Sequence, residues 1–171
     1  RELAPTARRV GVVGSAAFPG FGEIHNALIT AAPGLGFTIV NSTASDADGF
    51  ARALESISAQ RIDALFALGD NLTHLHLREI VTLATRTRIP SMYSQQEFCD
   101  GGGLACYGVD LQSNYRRSAI YIDKILRGVP PAAIPIEIPR TFNLVLNLRT
   151  AKALGINVPP SLKIRADRLI E

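Results

Sequence analysis

A chain of 171 residues with 47% hydrophobic side chains can build one well-packed domain, and its two cysteines are too few for a disulfide scaffold. The net charge of +3 comes mostly from single arginines spread from Arg8 to Arg168 rather than gathered in a stripe, which speaks against nucleic acid as a partner. No stretch approaches the ~20 apolar residues of a membrane helix, and the opening "RELAPTARR" has no apolar signal core. That opening reads as a linker cut from a longer protein and running into a strand, whereas "RADRLIE" reads as a natural end.

"VGVVG", Val10 to Gly14, is a short apolar run ending in glycine, the pattern of a parallel strand covered on both faces. The spacing predicts a helix over 21–32, stopped by Pro33 and Gly34, and a second strand over 37–40. Ser45 and Asp46 then cap a helix whose Phe50, Ala53, Leu54 and Ile57 form one apolar stripe. "IDALFAL" supplies a third strand, Ile62 to Leu68, and Asn71 caps a helix expected to bury Leu77, Ile80, Val81 and Ala84. Fourth and fifth strands follow at Pro90 to Tyr93 and Ala105 to Val109. A long helix over 111–126 is expected to bury Tyr115, Ala119, Ile122 and Leu126 and to end at Gly128.

Five strands alternating with helices define an α/β fold: a doubly wound parallel sheet with right-handed crossovers, flavodoxin-like in plan. Beyond Gly128 the grammar changes. The proline-rich "VPPAAIPIEIP" suits an extended, stiff crossing segment, "FNLVLNL" alternates like a strand, "RTAKALG" is a short helix, and "PPSLKIRADRLIE" opens a last helix. We divide the chain into a sandwich, 1–128, and a crossover, strand and terminal helices, 129–171.

Ligands of open parallel sheets meet the loops at the carboxyl ends of the strands. Those loops are Ser15 to Phe18, Asn41 to Thr43, Gly69 to Asn71, Ser94 to Gln96 and Tyr107 to Asp110, all polar, small or aromatic, as a site for a small amphipathic molecule requires. Asp70, Asn71 and Asp110 can equally be helix caps. Candidate chemistry fails on spacing. Gly14 and Ser15 make no nucleophile elbow, and Gly11 and Gly14 make no dinucleotide fingerprint. His74 and His76, two apart on a helix, diverge too far to share a metal. Three glycines, 101–103, precede a strand instead of following one, so they make no phosphate cradle. The reading is binding without turnover, with no catalytic residue, cofactor or metal. Cys99 and Cys106 are read as buried or half-buried thiols; a bridge between them would close only a short loop.

"GGGLACYGVDLQSNYRRSAIYIDKILRGVPPAAIPIEIPRTFNLVLNLRTAKALGINVPPSLKIRADRLIE" closely resembles the carboxyl-terminal half of ABC-transporter substrate-binding proteins of the group linked with aromatic amino-acid uptake. "RVGVVGSAAFPG", "IDALFALGDNLT" and "IPSMYSQQEF" fit earlier blocks of that half. The resemblance implies a periplasmic or extracytoplasmic, two-lobed protein of the type I binding-protein kind, closing on a hinge around its solute and delivering it to a membrane permease. It also implies that this chain is the second lobe, that the amino-terminal lobe is absent from it, and that the segment from 129 onward contacts that lobe. Ser15, Asp70, Asn71, Gln95 and Tyr107 then face solute, joined by Asp110 at the rim. Were "FNLVLNL" to pair with the absent lobe, its bare edge here would favour self-association. A sensory input domain and a flavodoxin-like enzyme are the alternative readings.

Overall fold

The computed structural model describes residues 1–171. Seven strands form one sheet in the order β2-β1-β3-β4-β5-β6-β7, from β1 (Arg9–Ser15), β2 (Thr38–Ala44), β3 (Ala64–Ala67), β4 (Ser91–Tyr93), β5 (Ala105–Val109), β6 (Phe142–Asn147) and β7 (Arg168–Ile170). The first five are mutually parallel, β6 runs antiparallel to β5, and β7 is parallel to β6. The five expected strands are therefore present, and the tail adds two more to the same sheet.

One face is covered by α2 (Ala47–Ala59), α4 (Leu77–Thr87) and α5 (Gln96–Asp100), which bury Phe50, Ile57, Ile80 and Phe98 against Val13, Leu65, Tyr93 and Cys106. The stripe read for α2 is the one observed, and Asp46 caps that helix by accepting the Gly49 amide at 2.7 Å. A smaller core lies under α7 (Leu148–Leu154) and α8 (Pro160–Arg165), where Ala151, Val158 and Leu162 meet Leu104, Ala105 and Leu146. α1 (Phe21–Ala31) has no fully buried residue.

The structure corrects five expectations. β2 runs on to Ala44, so Asn41–Thr43 are strand residues paired with Val12–Gly14 and not a strand-end loop. The third helix begins after Asp70 rather than Asn71 and breaks at His76 into α3 (Asn71–Leu75) and α4, because Asp70 and Thr73 close a capping box. The terminal helix stops at Arg165. Asp167 captures the chain beside β6, donating its N–H to Leu144 O at 2.9 Å and accepting Leu144 N–H at 2.7 Å, so Arg168–Ile170 continue as a strand. Because β6 is flanked by β5 and β7, "FNLVLNL" has no bare edge, and self-association through it has no structural basis.

The fifth correction is α6 (Leu111–Leu126), which buries nothing: Tyr115 is 74% exposed, Ile122 57% and Leu126 81%, and Ala119 is exposed too. β5 and β6 are neighbours, so the thirty-odd residues between them need not cross the sheet, and the apolar stripe of α6 finds no partner within it. The chain leaves at Val109 and returns at Phe142, its register partner, and Asp110 N–H donates to Thr141 O at 3.1 Å across the two legs. α6 and the proline-rich return, hereafter the strap, are stapled by an Arg117–Glu137 ion pair. Ile136 and Ile138 of the strap are 97% and 81% exposed.

Candidate functional site

The strand order reverses between β1 and β3, and at such a reversal the loops at the carboxyl ends of adjacent strands diverge and leave a crevice. Ser15 ends β1 there and Asp70 follows β3. The Asp70 carboxylate is 5% exposed and fully engaged: Oδ2 accepts Ser15 N–H at 2.8 Å, and Oδ1 accepts Leu72 and Thr73 N–H, both at 2.9 Å. Its own amide donates to Thr73 Oγ1 at 3.1 Å, and that hydroxyl donates to Leu68 O at 2.6 Å. Asp70 is thus the brace across the crevice floor, and capping accounts for a buried carboxylate side chain at this position. Ser15 Oγ accepts Ala17 N–H at 3.2 Å and shapes the turn after β1. Asn71, first residue of α3, is exposed and makes no side-chain hydrogen bond within the chain.

The rim continues without a gap. A Cβ on Gly69 would lie 2.6 Å from Ser94 Oγ and 3.1 Å from Gln95 Cγ, so the β3 loop sits close against the Ser94 and Gln95 side chains. A Cβ on Gly108 would lie 1.9 Å from Ser94 O, which fixes β5 against the same turn. Ser94 Oγ and Gln95 Oε1 are buried yet have no hydrogen-bond partner, the unmet demand that a bound polar group can satisfy.

Tyr107 and Asp110 stand on either side of Gly108, where β5 passes the Ser94 turn and leaves the sheet. Tyr107 is 52% exposed and its ring stacks on Phe142, with centroids 5.8 Å apart, where the two legs leave the sheet. Asp110 caps α6 by accepting Ser113 N–H at 3.0 Å. Of the six residues expected at the site, Ser15, Asp70, Asn71 and Gln95 are brought together, and Tyr107 and Asp110 flank Gly108, which backs onto Ser94, at the start of the crossing segment. Ser94 and Phe142 are the neighbours that the individual residue readings did not single out. Ser94 lay inside a strand-end loop, while nothing local in "TFNLV" distinguished Phe142 from a core aromatic.

His74 is exposed on α3, and His76 stacks on Phe50 with centroids 5.0 Å apart. His25 meets Asn41 and stacks on Phe21. Beneath the rim, burial pushes the Tyr93 hydroxyl up to about 12; Ser91 offsets this slightly, but no hydrogen bond of good geometry reaches Tyr93 Oη. The cysteines are not free thiols: Cys99 and Cys106 are joined in a disulfide with Cα atoms 6.0 Å apart. Packing of α5 back over β5 explains the proximity, since it sets Cys99 against Cys106, which an interval of seven residues alone does not disclose.

The architecture is an α/β one: a mostly parallel seven-stranded sheet flanked by helices, with the Ser15, Asn71, Ser94 and Gln95 loops gathered at the carboxyl ends of its central strands. The chain belongs to the ABC transporter substrate binding protein family, whose model matches residues 1–170. It is 24% identical over 170 residues to a protein of Clostridioides difficile (strain R20291) called tyrosine-binding protein, covering 99% of this chain and 47% of that one. A Streptococcus pneumonia structure, described as an ABC domain in complex with L-Trp, superposes with a TM-score of 0.91 at 22% identity over 99% of this chain and 57% of its own. The ligand-free, open structure of a Clostridium difficile substrate-binding protein gives 0.71 at 23% identity over 98% of this chain and 56% of its own. The chain therefore spans about half the length of the relatives it matches.

Proposed function

We propose that this chain is one lobe of an extracytoplasmic solute-binding protein that clamps a small amphipathic solute, an amino acid with an aromatic side chain, and presents it to the permease of an ABC uptake transporter. The observation that carries this reading is the rim itself: Ser15, Asn71, Ser94 and Gln95 are held side by side at the topological reversal, with unspent polar atoms on Ser94 and Gln95. Asp70 braces the jaw from below. The names of the tyrosine- and L-Trp-binding relatives support the solute class, and a disulfide suits an oxidising compartment outside the cytoplasm.

The second half of the proposal concerns domains. The sandwich comprises 1–110 and 142–171, and the segment 111–141 belongs with the other lobe, a division that moves the expected boundary from residue 129 to α6. Its support is the exposed apolar face of α6 and the strap.

Calorimetric titration of the full-length protein and of residues 1–171 with L-tyrosine and L-tryptophan tests both halves. The full-length protein is expected to bind at least one, and the isolated chain at least about tenfold more weakly, or 1.4 kcal/mol, because half the enclosing surface is missing. Equal affinities would remove the two-lobe clamp. Absence of binding to either amino acid would remove the aromatic solute.

A further inference from the structure

We infer that the Cys99–Cys106 disulfide is a positioning element of the rim: it holds the Ser94–Gln95 turn at its station, and its effect on solute affinity is separate from its effect on stability. This inference rests on the rim being the solute-facing jaw. The bridge itself is out of solvent, with Cys99 0% and Cys106 1% exposed. On one side α5 grows directly out of the Ser94–Gln95 turn and carries Cys99 near its end. On the other, β5 passes from Cys106 into Tyr107 and Gly108, and Gly108 backs onto Ser94 O with no room for a Cβ. Turn, helix, disulfide and strand thus form a ring that closes on Ser94, with the covalent link about one residue beneath the rim, where Cys106 pairs with Tyr93.

The two halves of the rim are anchored differently. Ser15 and the α3 loop are tied by the Asp70 carboxylate through three backbone amides. The Ser94–Gln95 turn has no such device: Gln95, at the cap position of α5, makes no capping bond, and neither Ser94 Oγ nor Gln95 Oε1 has a partner. A helix of five residues does not sustain itself, so the turn's position is set by whatever pins α5. Apart from the bridge, α5 is held by the Tyr93–Phe98 stack, centroids 4.7 Å apart, by Gly103 N–H donating to Phe98 O at 2.7 Å, by Asn147 Nδ2 donating to Cys99 O at 3.1 Å, and by an Arg168–Asp100 ion pair. Those contacts grip residues 98–100, the end of α5 away from the turn; on this inference loss of the bridge loosens the turn end, and a jaw that must be ordered by its solute binds less tightly than one already in place.

The test is the double variant Cys99→Ala/Cys106→Ala in the full-length protein, compared with wild type at a temperature well below both melting points. Amide exchange over Gln95–Asp100 is expected to accelerate about tenfold or more, with exchange at Ser15–Ala17 and Leu72–Thr73 unchanged. For whichever of L-tyrosine and L-tryptophan the wild type binds, Kd is expected to weaken roughly fivefold. A bridge that only stabilises would lower the melting temperature and leave both local exchange and Kd where they were, and that result overturns the inference. Free thiols titrating in freshly unfolded wild type would overturn it as well. If wild type binds neither amino acid, the solute assignment falls, and the exchange pattern still decides for or against the bridge.

Discussion

Asp70 accepts three backbone N–H bonds while almost fully buried, which makes it a structural anion before anything else. Removing it leaves the Ser15 amide and two helix-start amides without partners. Asp70→Ala is therefore expected to cost about 2–3 kcal/mol in urea unfolding, whereas exposed Asn71→Ala is expected to cost no more than about 0.5 kcal/mol. If Asn71 faces solute, its loss registers in affinity and not in unfolding. Tyr93 offers a second check. Its folded-state value is raised to about 12, so the stability linked to its neutral form is complete below the ordinary tyrosine value and is lost as pH rises from there through about 12. Ultraviolet titration is expected to show one of the four tyrosines resisting ionisation until the protein unfolds.

Elements are held to one another by a few polar ties that sit where strands begin or end. At the start of β1, Asp63 Oδ2 accepts the Arg8 and Arg9 amides, each at 2.8 Å, and the Arg9 bond, then the Arg8 bond, hold its carboxyl below the ordinary value. The sign follows from the depression: this stability is present above the ordinary carboxylate value and is lost as pH falls through the folded-state one. The wild-type advantage over Asp63→Asn in denaturant midpoint is thus expected to be full near about pH 6 and to shrink in acid. At the opposite edge, Gly108→Ala must push β5 off the Ser94 carbonyl, with an expected loss of about 2 kcal/mol and disturbed amide shifts at Ser94 and Gln95. α2 needed no such tie to be legible. Its stripe from Phe50 to Ile57 and its Asp46 cap stand in the sequence because helix period and capping are local properties.

At the scale of the whole molecule, the sandwich is well buried on the α2–α4–α5 face, while α6 and the strap carry many exposed apolar side chains, Ile136, Ile138 and Leu126 among them. Apolar surface of that extent marks an interface. In sedimentation experiments the isolated chain is expected to associate with itself, and Ile136→Ser with Ile138→Ser to make it monomeric. The same pair in the full-length protein is expected to lower its melting temperature, since on the two-lobe proposal the other lobe covers that face. A monomeric isolated chain, or an unaltered full-length protein, would remove the assignment of 111–141 to that lobe. No helix is long and apolar enough to cross a membrane.

What the sequence determined by itself was whatever depends on near neighbours in the chain: the five parallel strands, the α2 stripe, the proline-rich strap, and the strand-end loops that include Ser15, Gly69 and Ser94. Periodicity, capping and turn chemistry act over a few residues, so they can be read in one dimension. The tertiary structure alone decided which loops touch. It turned Asp70 into a brace, because Ser15 lies 55 positions away, and Tyr107 into the partner of Phe142, because β6 runs antiparallel beside β5. It joined Cys99 to Cys106 by folding α5 over β5, and it stripped the apolar side of α6 of any partner, because the two ends of its crossover are neighbours in the sheet. A helix's pattern states that one side seeks cover, and only the packing of the remaining chain shows whether that cover is there.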